Sequence, residues 1–336
     1  MRYFFIIAFF VLLSFFLTFG LRRYAIARNL IDVPNSRSSH AIPTPRGGGV
    51  AIIISFLLAG ALLFSLNLIP SSLFLALLFP GLLVAVLGFV DDHGHVSARW
   101  RLLGHFAASL GVLCFFQGAP SLSILGAVIE SWYLCGVFAV FYLVWMINLY
   151  NFMDGIDGLA SVEALTVTLS AAFLYWWMGF DGLVWAPLIM AAAVTGFLFL
   201  NFPPARIFMG DAGSGFIGLV IGIFSLYGAM VSPQLLWSWL ILLGVFIVDA
   251  TYTLGRRLLR GEKIYEAHRS HAYQSASRVH GSHLVVTLTV SLINIFWLLP
   301  IAAMVACQKI EGFLGVLIAY LPVLLLARTY RAGEAE

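Results

Sequence analysis

Charge is what this chain of 336 residues has least of: Asp, Glu, Lys and Arg make up 10% of it, against 62% hydrophobic residues. Soluble domains carry about 25% charged and about 45–50% apolar residues. So few charges cannot solvate the surface of a water-soluble protein of this length, and lipid must be the solvent. No soluble domain and no low-complexity segment interrupts the pattern. No internal repeat is evident either, which weighs against a transporter built from inverted halves. Cysteine is scarce: Cys114, Cys135 and Cys307 are scattered in or beside apolar runs without CxxC spacing. They suggest neither a disulfide framework nor a metal site. The net charge of +3 names no partner by itself.

What the chain does have is apolar runs, and crossing a bilayer takes roughly 20 apolar residues in a helix. Such runs fall near 3–21, 49–70, 73–90, 102–117, 132–150, 159–179, 183–202, 214–231, 235–254, 284–305 and 312–328. They predict an all-α polytopic integral membrane protein with about 11 transmembrane helices in a single domain, 1–336. The first run is longer than a signal-peptide core and is followed by Arg22 and Arg23 rather than a cleavage site, so a retained helix is expected. An external (periplasmic) N-terminus and a cytoplasmic C-terminus put segments 22–48, 91–101, 151–158, 203–213, 255–283 and the tail inside. Those segments hold 16 of the 18 Lys and Arg residues, leaving only Arg2 and Lys309 outside, as the positive-inside rule requires. Asp32, Asp91, Asp92, Asp154, Asp157 and Asp211 fall on the same face, so the chemistry is expected there.

Four constellations stand out. FVDDHGHVSARWR ends the third span with adjacent carboxylates, Asp91 and Asp92, then His93, His95, Arg99 and Arg101. Two ionised acids this close need a cation or donors between them, although charged membrane stops would look similar. WMINLYNFMDGIDGLA ends the fifth span with Asn148, Asn151, Asp154 and Asp157 at every third position, which predicts one polar helix side. Gly155 and Gly158 after the acids leave room for a ligand or a second backbone. In NFPPARIFMGDAGSGFIG, Asp211 precedes a helix expected to begin near Ser214. Gly210, Gly213 and Gly215 expose N–H groups suited to phosphate, and Asp211 could equally be a simple N-cap. The segment 255–283 carries six basic residues and His268, His271, His280 and His283. Ordinary inside charge explains Arg256, Arg257 and Arg260 but not His268, Arg269 and His271 together. The loop DVPNSRSSHAIPTPRGGG adds Asp32, Arg37, His40 and Arg46. Asp249 is the one acid read as intruding into a span, with a structural basic partner as its first expected role.

Carboxylates alone repel phosphate, so such a site makes sense around a divalent cation held by oxygen ligands. A location at the inner boundary suits a lipid phosphate acceptor and a soluble nucleotide-linked donor. These residues point as far as phosphoryl transfer between the two. Two rivals remain: a transporter or flippase of lipid-linked sugars predicts ionisable groups along the spans, and a lipid-binding scaffold gives no reason for paired Asp-Gly steps.

DVPNSRSSH, FVDD…SAR, NFMDGIDG, FMGDAGSG and HRSHAYQ occur in that order, and together they resemble the polyprenyl-phosphate N-acetylhexosamine-1-phosphate transferases, the superfamily that contains phospho-N-acetylmuramoyl-pentapeptide transferase. HRSHAYQ is most similar to the O-antigen-initiating, WbpL-type branch. The resemblance implies a bacterial inner-membrane enzyme with a cytoplasmic site. It would transfer N-acetylhexosamine-1-phosphate from a UDP-sugar to undecaprenyl phosphate and release UMP. The implied cofactor is Mg²⁺, or Mn²⁺ in its place. The implied partners are undecaprenyl phosphate, UDP-N-acetylhexosamine and membrane lipid, with no nucleic acid; a homodimer is compatible with it. By position, Asp211 matches the metal ligand, with Asp92 beside it. Asp91 matches the group that engages or deprotonates the lipid phosphate, and Asp91, Asp92 and Asp211 form the expected catalytic set. Arg99 would hold phosphate and Phe208 would stack on uracil. Asn151, Asp154, Gly155 and Asp157 match the nucleotide-binding row, while His268, Arg269 and His271 fall in the loop that reads sugar and diphosphate. Asp32, Arg37 and His40 complete the expected binding set. Relatives often show HxHH in that loop where this chain has Ser270, which puts sugar specificity in doubt.

Overall fold

The computed structural model describes residues 2–34, 39–40, 42–94, 96–262 and 268–334, with backbone alone at Arg2 and Tyr3. Arg37 and His95 therefore lie outside the described residues. The chain is a helical bundle, because in lipid every backbone polar group must be satisfied within its own segment. In order come α1 (Arg2–Ala27), α2 (Gly49–Ser65), α3 (Ser71–His93), α4 (Ala98–Phe116), α5 (Trp132–Met153), α6 (Leu159–Trp177), α7 (Asp181–Asn201) and α8 (Asp211–Val231). Then follow α9 (Pro233–Leu242), α10 (Gly244–Leu259), α11 (Ala272–His280), α12 (His283–Ile293), a π-helical turn (Asn294–Leu298), α13 (Leu299–Ala306) and α14 (Gly312–Thr329). Every apolar run of the sequence is a helix.

Among the described residues, however, 8 helices are long and apolar enough to cross a membrane, or 9 if α9 and α10, bent by 72°, form one broken span. The other two of the eleven expected runs, α2 and α4, are helices that fall short of that length or apolarity. The run at 49–70 yields only the 17 residues of α2, and α4 carries Arg99, Arg101 and His105 in its first turns, which shortens its apolar stretch. Two expectations change. The segment 255–283 holds a helix of its own, α11. And Asp249 is not the only acid inside a span, since Glu163 lies fully buried in α6.

Helix α8 is the core, buried along nearly its whole length. Small residues let its neighbours close on it, as in other membrane bundles. A Cβ on Gly49 of α2 would sit 2.4 Å from Gly213 Cα, and one on Gly218 would sit 2.3 Å from the Met146 carbonyl of α5. Gly49→Ala is expected to destabilise the protein by about 1–3 kcal/mol through overpacking, read as a lower thermal midpoint in detergent. An unchanged midpoint would mean that α2 and α8 do not meet this closely.

Two short hairpins complete the fold. β3 (Leu122–Ile124) pairs with β4 (Ala127–Ile129) between α4 and α5. β1 (Ile31–Asp32) pairs with β2 (Thr44–Pro45), setting Asp32 opposite Thr44. The 205–209 segment continues alongside: Phe208 N–H donates to the Pro45 carbonyl at 2.8 Å and Gly48 N–H to the Phe208 carbonyl at 2.9 Å. Two segments far apart in sequence are thereby stitched at the face that carries the motifs.

Candidate active site

Asp92, one residue before the end of α3, is 6% exposed. Its carboxylate accepts from the backbone N–H groups of Asp211 at 3.1 Å and Ala212 at 3.2 Å. It caps α8 from another helix, satisfying two N–H groups that have no intrahelical acceptor. The approach needs Gly210: its φ is +80°, and a Cβ there would stand 2.7 Å from Asp92 Oδ2. The helix begins at Asp211 with Gly210 as N-cap, rather than near Ser214, and no side chain of its own caps it. The N-terminus expected to suit a phosphate already faces a carboxylate.

Asp91 turns to a different neighbourhood. Arg101 Nη1 lies 2.5 Å from Asp91 Oδ2 and 3.6 Å from Asp211 Oδ2, so a single guanidinium bridges the two acids. Val96 N–H donates to Asp91 Oδ1 at 2.9 Å. Asp91, Arg101 and Asp211 share a small cavity with Asn148 and Asn151. Arg99, expected to hold phosphate, is exposed and lines neither this cavity nor the main cleft. Arg101 occupies the place beside the acids. The SARWR segment contains both arginines, and only the packing of α4 against α3 distinguishes them.

The main cleft, about 260 Å³, adjoins this cavity through Asp211. The expected single stripe of Asn148, Asn151, Asp154 and Asp157 divides here. α5 ends at Met153, with Asp154 as its C-cap. The two asparagines therefore face the small cavity, while Asp154, Gly155 and Asp157 lie beyond the helix on the cleft wall. Burial, reinforced by the negative charges of Asp211, Asp92 and Asp157, pushes Asp154 well above the usual carboxylate range.

Asp157 behaves in the opposite way. Burial alone would raise it. The His283 imidazole at 3.3 Å and the Ala205 N–H at 3.0 Å outweigh that and hold it below the ordinary value. A carboxylate with a lowered folded-state pKa stabilises the fold fully above its unfolded value of about 3.9. That contribution disappears as pH falls through the lowered value. Asp157→Asn is therefore expected to flatten the acid limb of the thermal midpoint against pH below about pH 4; an acid limb identical to wild type would count against the pairing.

Asp32, His40 and Phe208 also line the cleft. The His40 and Phe208 rings meet edge to face at 4.8 Å, and His40 Nε2 is buried without a partner among the described residues. Arg46, Asn201, Gln274 and His283 belong to the wall as well. Asn201 and Gln274 join the wall beyond the residues expected there, and Arg46 and His283 gain a place that their motifs alone did not assign. Arg46 Nη2 donates to the Asp92 backbone carbonyl, while His283 Nε2 lies 3.1 Å from the Ser39 carbonyl.

His268, Arg269 and His271 do not reach this wall. His271 is 2% exposed, with Nδ1 at 3.2 Å from Asp249 Oδ1. His268 stacks on it at 4.8 Å and is pushed down to about 3, chiefly by burial and then by His271 and Arg257, so it is neutral at pH 7. Arg269 is half-buried beside them, its carbonyl accepting from Arg278 at 3.1 Å. Asp249, expected to pair with a basic residue, has His271 as that partner and also accepts from the N–H groups of Ala272 and Tyr273, both at 2.9 Å, so that it caps α11 as Asp92 caps α8. Arg256 goes to Glu334 at 3.2 Å. This loop acts on the cleft through α11, which places Gln274 on the wall.

Among the described residues, no group of three or more His, Cys, Asp or Glu forms a ready cage for a metal. The donor set still fits a hard cation that brings waters with it. Asp211 and Asp154 share the cleft and offer only oxygen, the charge of Asp211 helps to raise Asp154, and Asp91 and Asp211 are already gathered around a guanidinium. Mg²⁺ usually takes one or two carboxylates plus substrate phosphates.

Fold and site together define a polytopic helical membrane protein with an acidic cleft at one end of its bundle. The glycosyl transferase family 4 model matches residues 74–229. The chain is 31% identical to the probable undecaprenyl-phosphate N-acetylglucosaminyl 1-phosphate transferase of Bacillus subtilis (strain 168), across 81% of this chain and 76% of that one. It is 29% identical to the undecaprenyl-phosphate alpha-N-acetylglucosaminyl 1-phosphate transferase of Thermotoga maritima, across 87% and 88%. The Escherichia coli (strain K12) protein of the same description is 27% identical across 86% and 81%. The chain belongs to the polyprenyl-phosphate N-acetylhexosamine-1-phosphate transferase family.

Proposed function

We propose that this protein transfers an N-acetylhexosamine-1-phosphate from a UDP-sugar to undecaprenyl phosphate at the cytoplasmic face of a bacterial inner membrane. The observation that carries the reading is the Asp91–Arg101–Asp211 bridge beside the Asp154 cleft. It puts an acceptor of protons, a fixed positive charge and a candidate metal ligand within one side chain's reach. A lipid-phosphate oxygen attacks the β-phosphorus of the donor, the bond to the α-phosphate oxygen breaks, and UMP leaves. Asp91 takes the proton of the attacking phosphate. Arg101 offsets its remaining charge. Bound Mg²⁺, with Asp211 as its main protein ligand, would offset the charge of the donor diphosphate and of the departing UMP. Phe208 and His40 supply the aromatic wall for the uracil, and Asp154 and Asp157 frame the nucleotide. Asp92 acts by holding the start of α8, and with it Asp211.

The names of the relatives favour N-acetylglucosamine as the sugar, and HRSHAYQ favours O-antigen initiation as the setting. A flippase reading is less economical, because most ionisable side chains gather at one end of the bundle. The test mixes purified protein, undecaprenyl phosphate, UDP-N-acetylglucosamine and Mg²⁺ and follows UMP. EDTA should stop release, and excess Mg²⁺ should restore it. Turnover that ignores the chelator would sink the metal assignment; a panel of UDP-N-acetylsugars ranks the donors.

A further inference from the structure

One acid in the membrane interior has no role in the chemistry above. Glu163, in the second turn of α6, is 0% exposed and pairs with no Lys, Arg or His among the described residues. A lone carboxylate in such surroundings is costly. Its partner is Asn294, 1% exposed, the first residue of the π-helical turn; interruptions of this kind are frequent at functional sites. Asn294 Nδ2 donates to Glu163 Oε2 at 2.7 Å and to Thr166 Oγ1 at 2.8 Å, which uses both amide hydrogens. Thr166 gives its own hydrogen to the Val162 carbonyl at 2.9 Å. That network sets the orientation of the amide. It leaves Glu163 Oε1 and Asn294 Oδ1, both buried, both acceptors and both without a partner among the described residues.

Two acceptor oxygens on adjoining groups, one of them charged, require something positive. We infer that Glu163 and Asn294 form an internal binding site for a single monovalent cation inside the bundle. One positive charge matches one carboxylate, whereas a divalent ion would leave net charge buried in hydrocarbon. The cation is either a proton on Glu163, shared with Asn294 Oδ1, or an alkali ion between the two oxygens. The site joins α6, which starts just after Asp157, to the α12 helix and π turn, which start at His283. It thereby ties together the two elements whose starts lie beside Asp157 and His283 on the cleft wall.

The experiment uses full-length protein in lipid nanodiscs at neutral pH, in sodium chloride and in N-methylglucamine chloride. Infrared difference spectra against Glu163→Gln are recorded with thermal midpoints. A neutral-carboxyl absorption lost in Glu163→Gln and indifferent to sodium identifies the proton. Its appearance only when sodium is removed, with a wild-type midpoint that rises with sodium and a Glu163→Gln midpoint that does not, identifies the alkali ion. An ionised Glu163 in both salts, with no sodium dependence of the midpoint, overturns the site. Glu163→Gln should fold, because its amide can donate to Asn294 Oδ1 while its carbonyl accepts from Nδ2. Asn294→Ala, which removes one of the two oxygens, should shift the carboxyl absorption or abolish the sodium response; retention of both unchanged also overturns it.

Discussion

Asp91→Asn and Asp211→Asn each lower kcat for UMP release by roughly 10²–10⁴-fold, the range that loss of a positioned proton acceptor or equivalent group commands, while the protein stays folded. Neither side chain is a main support of the bundle. Asp91 is held by Arg101 and the Val96 N–H, and asparagine can still accept from one of them. The structural contact of Asp211 is its backbone N–H, bonded to Asp92, which the substitution does not touch. What each variant loses is a negative charge, beside a guanidinium that bridged two acids and would then pair with one. Asp92→Asn provides the contrast. Only one of its two side-chain atoms could then accept from the α8 N-terminus, so its thermal midpoint should fall along with its activity. If Asp91→Asn or Asp211→Asn kept wild-type turnover, the site assignment would fail; if Asp92→Asn kept the wild-type midpoint, the capping role would fail.

Asp249→Ala should cost about 3–5 kcal/mol, as expected when one partner of a buried charged network is removed. The carboxylate is 4% exposed and accepts from Ala272 N–H, Tyr273 N–H, His271 Nδ1 and Thr253 Oγ1, at 2.9, 2.9, 3.2 and 3.0 Å. Removing it leaves four donors without that acceptor and releases the start of α11. Tyr273, whose hydroxyl donates to the Phe152 carbonyl at 2.9 Å, and Gln274 on the cleft wall would lose their anchor. Denaturation midpoints and protease sensitivity of the 262–283 segment measure the first effect, and a raised KM for the UDP-sugar measures the second. Asp249→Asn, keeping shape and one acceptor, should be milder. A wild-type midpoint in Asp249→Ala would refute the account.

The bundle, the face that carries the motifs and most of the acids on that face were legible in the sequence. Hydrocarbon permits no unsatisfied backbone, so each long apolar run had to be a helix. Charged loops cannot easily stay in lipid, so they had to lie at helix ends. The division of labour among the acids was not legible. Asp91 and Asp92 are adjacent, yet successive residues on a helix point about 100° apart, so one meets Arg101 and the other meets the start of α8. Arg101 rather than Arg99, Asp249 as a cap for α11, the burial of His271 and the pairing of Glu163 with Asn294 follow the same rule. Sequence determines that a helix exists and which side chains it carries. Which of them meets a neighbour's open N–H groups is decided only when helices distant in the chain pack at a particular rotation and depth.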